Sequence, residues 1–259
     1  MRAADGSDLD LIRGAAREAA SIAMRYFRKD PETWLKEGDS PVTEADIAVD
    51  RFLRNELVSA RPDYGWLSEE TVDDPGRLSA RRTFVVDPID GTRAFINGSS
   101  QWCVSVAIVE NGRPIAGVLD CPARDEVYLA GASTNATRNG EMIHVSTPSD
   151  ICKVGGPRVL IDRVPDALRR NFEKVAYVPS LAYRIALVAS GAIDATFVKA
   201  NAHDWDLAAA DLILSRAGGR VLNERMTEPL YAGRETAHGV LVAGSGGLLE
   251  SLASALHGP

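Results

Sequence analysis

The hexapeptide Asp87-Pro88-Ile89-Asp90-Gly91-Thr92 constrains this chain more than any other segment. It follows Thr83-Phe84-Val85-Val86, a β-branched and aromatic run that reads as a strand stopping at the Asp-Pro step. Two carboxylates thus stand three residues apart where a proline and a glycine force the chain to turn. Hard divalent cations such as Mg²⁺ take oxygen ligands, commonly carboxylates and backbone carbonyls. A turn can aim Asp87, the Ile89 carbonyl and Asp90 at one point. Gly91 lets backbone N–H groups approach a phosphate closely if a helix opens at Thr92. The plainer reading is that Asp-Pro and Asp-Gly are simply good turn dipeptides.

The surrounding pattern sets the architecture. Ser7 reads as the N-cap of a first helix with apolar residues at Leu9, Ile12, Ala16, Ala19, Ala20, Ala23, Met24 and Phe27, closed by Pro31. A polar loop over 36–41 leads to Thr43-Glu44-Ala45-Asp46, an N-cap with an acid three residues on, opening a second helix to about Ser59. Cys103 to Val109 reads as a strand, and Asn111-Gly112 as a hairpin turn into a strand from Ile115 to Leu119. Val127-Tyr128-Leu129 extends the meander. Residues 1–148 therefore read as helices on a large, mostly antiparallel sheet. Residues 149–259 alternate: a helix capped by Ser180 and ended by Gly191, a strand to Val198, a helix from about Asp206 to Ala217, short strands at 220–222 and 240–243, and a last helix to Leu256. The fold class expected is α/β (α+β).

Composition excludes several classes. At 259 residues, 45% hydrophobic and 25% charged, the chain is an ordinary globular sequence. No apolar run approaches the roughly 20 residues that span a bilayer. The N-terminus lacks the apolar core of a secretory signal. Cys103, Cys121 and Cys152 are odd in number and widely spaced, so a reducing cytoplasm is expected. A net charge of −7 without a Lys/Arg run argues against a nucleic-acid polymer as partner. An acidic protein can still bind a phosphate when metal ions invert the local field.

Further acids accompany the hexapeptide. Glu69-Glu70 follows Tyr64-Gly65-Trp66-Leu67-Ser68, and Asp206 stands in His203-Asp204-Trp205-Asp206-Leu207-Ala208-Ala209. Each has a bland explanation: a solvated face for Glu69-Glu70, a helix-dipole acid for Asp206, the back half of a capping box for Asp46. His203 reads as a surface loop histidine. Taken together, however, the segments Val42-Thr43-Glu44-Ala45-Asp46, Leu67-Ser68-Glu69-Glu70, Asp87 to Thr92 and Trp205 to Ala209 resemble, in order, the signatures of the inositol monophosphatase superfamily. Gly218-Gly219 completes a match that spans nearly the whole chain.

That resemblance implies a layered αβαβα sandwich with two to three Mg²⁺ ions where the halves meet. Glu69, Asp87, the Ile89 carbonyl, Asp90 and Asp206 would ligate them. Thr92 and Asp46, with Glu69, would serve the attacking water. The amides of Gly91, Thr92 and Arg93 would cradle the phosphate, and Ser180 and Asp206 would lie near the rest of the substrate. Lithium sensitivity and a homodimer are further expectations of the resemblance. Ser68 departs from the pattern, which usually has glycine before the paired glutamates.

The resemblance implies a small phosphorylated metabolite as substrate. Arg93 after Thr92, and Lys199 where inositol-type members place an acid, point to a second phosphate, with Arg184 as a third cation. Lys36 reads as a loop lysine or, by the resemblance, as a neighbour of the site. The expectation is a 3′(2′),5′-bisphosphate nucleotidase, ahead of an inositol-1-monophosphatase or a histidinol-phosphatase. A non-catalytic metabolite-binding protein on the same fold is the rival of another class, and the completeness of the motif set speaks against it.

Overall fold

The computed structural model describes residues 2–36, 41–147 and 150–256. The loop positions 37–40 and the expected boundary at Pro148 lie outside these. A seven-stranded sheet comprises β1 (Gly65–Ser68), β2 (Arg82–Asp90), β3 (Cys103–Glu110), β4 (Arg113–Cys121), β5 (Glu126–Gly131), β6 (Thr137–Arg138) and β7 (Glu141–Met142), in chain order across the sheet. Only β1–β2 is parallel. Asn111 and Gly112 both have left-handed φ values, 53° and 75°, as the tight turn between β3 and β4 requires.

A second, five-stranded sheet contains β8 (Cys152–Gly155), β9 (Phe172–Lys174), β10 (Ala195–Val198), β11 (Arg220–Asn223) and β12 (Leu241–Gly244), in the order β9-β8-β10-β12-β11. Helices α1 (Arg2–Met24) and α2 (Glu44–Ala60) precede the first sheet, and the short α3 (Thr92–Ile96) follows β2. Helices α4 (Leu181–Ala189), α5 (Asp204–Arg216) and α6 (Gly246–Ala255) belong to the C-terminal part.

Side-chain alternation along the strands decides the layering. On β3, Val104, Val106 and Ile108 pack with Ile12, Ala16 and Ala19 of α1 and Val49 and Leu53 of α2. The intervening Cys103, Ala107 and Val109 pack instead with Ala182, Ile185 and Ala186 of α4 and Leu207, Ala210 and Ile213 of α5. On β10, Val198 faces that same middle layer, while Ala195 and Phe197 meet Leu249, Leu252 and Ala253 of α6. The order is therefore helix, sheet, helix, sheet, helix, the αβαβα sandwich expected.

Local readings hold where they depend on neighbours in sequence. Thr43 caps α2, its side chain accepting from the N–H groups of Ala45 and Asp46 while Asp46 accepts from the Thr43 N–H. Ser180 caps α4 by accepting from Tyr183 N–H at 3.0 Å. Others are corrected. Ser7 lies inside α1, which starts upstream, and its hydroxyl accepts from Arg61 Nη2 at 2.7 Å. α1 ends at Met24, well before Pro31, and Arg28 and Asp30 then take left-handed φ values. α5 opens at Asp204, two residues ahead of Asp206, because His203 is its N-cap.

The consequential correction concerns Pro88. β2 does not stop at the Asp-Pro step but runs on to Asp90 through a bulge: Asp87 pairs Ser105 and Asp90 pairs Cys103, three steps against two. Proline has no N–H for the ladder, so a bulge is where a strand accommodates it. In a regular strand residues three apart point to opposite faces. The extra residue brings Asp87 and Asp90 to one side.

The middle layer leaves no slack. A Cβ on Gly117 of β4 would stand 3.1 Å from both the Cα and the carbonyl oxygen of Ala209 in α5. We expect Gly117→Ala to push α5 off the sheet and cost about 1–3 kcal/mol. Because α5 carries Asp206, divalent-cation affinity should fall with it. Thermal unfolding with and without Mg²⁺ checks both effects.

Candidate active site

Five acidic residues converge from distant parts of the chain. The bulged end of β2 supplies Asp87 and Asp90, and α5 supplies Asp206. Oxygens of these three lie within 4.8 Å of one another, with Asp87 and Asp90 buried. Glu69, just past β1, lines the same cleft, and its N–H donates to Val86 O of β2 at 3.2 Å. Asp46, in the first turn of α2, is 1% exposed and reaches Thr92 of α3.

The four aspartates are oriented by backbone N–H groups, while the Glu69 carboxylate meets Lys36 Nζ at 3.5 Å. Asp87 Oδ1 accepts from Ile89 N–H at 3.0 Å, and Asp206 Oδ2 from His203 N–H at 2.6 Å. Asp46 Oδ2 accepts from Thr43 N–H at 2.8 Å and Thr43 Oγ1 at 2.6 Å, which leaves Oδ1 toward Thr92 Oγ1 at 3.3 Å. Asp90 is held most completely. Ala182 N–H donates to Oδ2 at 2.6 Å, Leu181 N–H to Oδ1 at 3.2 Å, and the Ser180 hydroxyl to Oδ2. The helix dipole of α4 adds to these donors.

Burial raises the affinity of these groups for protons. The Asp90 carboxyl is pushed up to about 6 by burial, against the opposing pull of the Ser180, Ala182 and Leu181 donors. Asp46 likewise rises to about 6, through burial and despite Thr43. Asp87 and Asp206 are driven well above the usual carboxylate range by burial and by the charges around them, Glu69 and Asp90 for Asp87 and Asp90 for Asp206. No Lys or Arg pairs with Asp87, Asp90 or Asp206 among the described residues. A buried, cation-free set of hard oxygen donors is what a divalent metal ion satisfies, so the residues fit Mg²⁺.

A cleft of about 410 Å³ covers the cluster. Gly91, Thr92 and Arg93 line it at the N-terminal end of α3, where Gly91 takes φ 96°. A Cβ there would stand 3.1 Å from Gln101 O and from Ser180 Cβ, so only glycine fits. Lys199 and Arg184 line the same cleft. Arg184 is 6% exposed, and its guanidinium donates to Thr196 Oγ1 at 2.9 Å, Val178 O at 3.0 Å and Phe197 O at 3.3 Å. Two of its five N–H donors are left over, and no carboxylate among the described residues pairs with it.

Several placements differ from expectation. Ser180 is fully buried and turned to Asp90, so it supports the acid rather than lining the cleft. His203 is half-buried, stacks on Trp205 with ring centroids 4.5 Å apart, and holds Asp206 through its backbone. Lys36 reaches both paired acids, bonding Glu69 O at 3.4 Å and Glu70 Oε1. Ser68 stands where glycine is usual, yet takes no left-handed φ. Its hydroxyl donates to Asp50, which also accepts from Thr71 Oγ1 at 2.7 Å. Asp50 thus braces the Glu69-Glu70 segment on both sides, a role the sequence reading missed. Its only signal was its position one turn after Asp46 on α2. Tyr177, Asn201 and Pro157 also line the cleft without having been singled out.

Fold and cleft together define a class, the carboxylate-walled phosphatases that work with bound divalent metal. The inositol monophosphatase family profile matches residues 7–258, and the chain belongs to that family. Its members are phosphatases and are generally Mg²⁺-dependent. A 3′(2′),5′-bisphosphate nucleotidase CysQ of Aggregatibacter actinomycetemcomitans is 28% identical over 85% of this chain and 86% of its own. Inositol monophosphatase 2 of Solanum lycopersicum is 31% identical over 85% and 88%. The crystal structure of the extragenic suppressor protein suhB from Bartonella henselae superimposes with a TM-score of 0.85 at 26% identity, covering 96% of this chain and 98% of that one. No helix among the described residues is long and apolar enough to cross a membrane.

The raised carboxylates carry a sign that can be checked. Asp46 and Asp90 bind protons more tightly folded, at about 6, than unfolded near their ordinary 3.8. Their contribution to the stability of the metal-free protein is therefore full below the unfolded value and lost as pH rises through about 6. A saturating cation binds the ionised acids and should raise Tm more at about pH 8 than at about pH 5. Calorimetry of EDTA-treated protein with and without Mg²⁺ tests this. Equal Mg²⁺ increments at both pH values would contradict metal binding at this cluster.

Proposed function

We propose that the chain is a Mg²⁺-dependent phosphomonoesterase acting on a 3′(2′),5′-bisphosphate nucleotide. The observation that carries the substrate reading is Arg184, a buried guanidinium on the cleft wall with no carboxylate partner. Burial lowers its proton affinity and Asp90 opposes that, but an arginine remains charged. Such a cation calls for an anion from the ligand. Lys199 and Arg93 line the same cleft, so one phosphate faces the acids while a second has cations of its own. The CysQ relative supports the same reading.

Glu69, Asp87, the Ile89 carbonyl, Asp90 and Asp206 would hold the two to three ions. The chemistry Mg²⁺ supplies in such a site is polarisation of phosphoryl oxygens and acidification of the attacking water. The chain's own groups do the rest. The Thr92 hydroxyl has two acceptors in reach, Ile89 O at 3.0 Å and Asp46 Oδ1 at 3.3 Å. The carboxylate is the stronger acceptor because it carries charge. With its proton directed to Asp46, Thr92 Oγ1 accepts from the attacking water and fixes its line of approach. Asp46, raised to about 6, can take the proton near neutral pH. Amides of Gly91, Thr92 and Arg93 at the open end of α3 cradle the phosphate oxygens. No covalent nucleophile is required.

Phosphate release should be compared for adenosine 3′,5′-bisphosphate, inositol-1-phosphate and histidinol phosphate, with EDTA as control. The nucleotide is expected to lead by at least about tenfold in kcat/KM, roughly 1.4 kcal/mol of transition-state preference. A comparable lead for either other substrate would overturn the nucleotide reading, and failure of all three with Mg²⁺ bound would favour a binding protein. Asp90→Asn should abolish turnover, and Thr92→Ala or Asp46→Asn should cost about 10²–10⁴-fold. Arg184→Lys should raise KM for the bisphosphate by roughly tenfold or more, through loss of charge-assisted bonds, while sparing monoester turnover.

A further inference from the structure

A second cleft, of about 940 Å³, opens between α1 and the β4–β5 hairpin. It shares no lining residue with the catalytic cleft. Its floor includes Asp120, the penultimate residue of β4. The strand pattern places this side chain on the α1 face together with Ala116 and Val118, two members of the apolar core there. A carboxylate thus occupies a position that strand alternation reserves for an apolar group, and it is only 5% exposed.

What distinguishes Asp120 is its lack of donors. Outside the metal cluster, the other buried carboxylates are satisfied within the fold. Asp8 takes Arg61, Arg82 and Tyr64, and Asp50 takes Ser68 and Thr71. Asp204 takes Ala232 N–H and His238, and Asp211 takes the Tyr231 hydroxyl. Asp120 accepts no hydrogen bond from any described residue. Arg17 of α1 acts on it through space without forming an ion pair, and burial pushes its carboxyl up to about 6. Its carboxylate oxygens are not sealed from solvent but open into the cleft, where a ligand's donors can take the place of water.

The rest of the wall says which ligand. Four acids line the cleft, Asp10, Asp120, Asp125 and Glu126, against two bases, Arg13 and Arg17. Arg13 is paired with Asp10 at 2.9 Å and Glu126 with Arg124 at 3.4 Å, which leaves Asp120 and Asp125 against Arg17. The negative excess favours a cation, and Val127 and Leu129 beside Asp120 offer apolar surface to a hydrocarbon stem. We propose that this cleft binds a small organic cation, an ammonium or guanidinium group on a short apolar stem, that pairs with Asp120.

Isothermal titration of the Mg²⁺-saturated full chain with n-hexylammonium tests this, with 1-hexanol as the uncharged probe. Saturable one-to-one binding is expected, at least tenfold weaker for 1-hexanol and at least tenfold weaker in Asp120→Asn, an isosteric change. Val127→Trp, which crowds the cleft beside Asp120, should also weaken it. Asp90→Asn should leave it unchanged, which separates this cleft from cation binding at the catalytic acids and from the substrate reading. No saturation by about 10 mM in the wild type, unaltered binding in Asp120→Asn, or loss in Asp90→Asn would each overturn the proposal.

Discussion

The site depends on the grip that the N-terminus of α4 keeps on Asp90. Asp90 sits at the end of β2, in the seven-stranded sheet, while the three donors that hold it come from Ser180, Leu181 and Ala182, about ninety positions later in the chain. Without those donors Asp90 would face Asp87, Asp206 and Glu69 with only the more distant Arg184 charge to offset their repulsion. The grip does two jobs through one set of bonds. It satisfies the orphan N–H groups of a buried helix end, and it locks the middle helical layer to the sheet that carries the other acids.

The same device recurs at the other carboxylates. Asp46 closes a capping box with Thr43, Asp206 closes one with His203, and Asp87 caps its own turn through Ile89 N–H. In Asp46 one oxygen serves the backbone and the other reaches Thr92. Capping and chemistry are therefore not competing explanations of these acids. Capping fixes the rotamer, and a fixed rotamer lets several like charges share a small buried volume ready for a cation.

Charge is distributed by function rather than by average. The chain carries a net charge of −7, yet the catalytic cleft is lined by Arg93, Arg184 and Lys199 as well as by acids. That mixture is the basis of the bisphosphate substrate proposed for the cleft. The cleft beside α1 is the converse case. Its acids outnumber its bases and its buried member, Asp120, is left without a donor.

Features governed by contacts close in sequence were legible in advance. The Thr43–Asp46 capping box, the Asn111-Gly112 turn, the Ser180 cap and the alternating strands all follow from propensities acting over a few residues, and so does the presence of a carboxylate-rich turn at 87–92. The layered fold and the proposed ligand set came from the family resemblance carried by four ordered motifs. The sequence could not show that β2 continues past Pro88, because the bulge exists only in register with Ser105 and Cys103 of β3. Nor could it show Ser180 turned to Asp90, Asp50 bracing Ser68 and Thr71, or Arg184 buried without an anion. Each of these is a fact about which distant groups meet once water is excluded. Sequence determined which residues could bond or ionise; tertiary structure decided which of them found partners and which were left for a ligand.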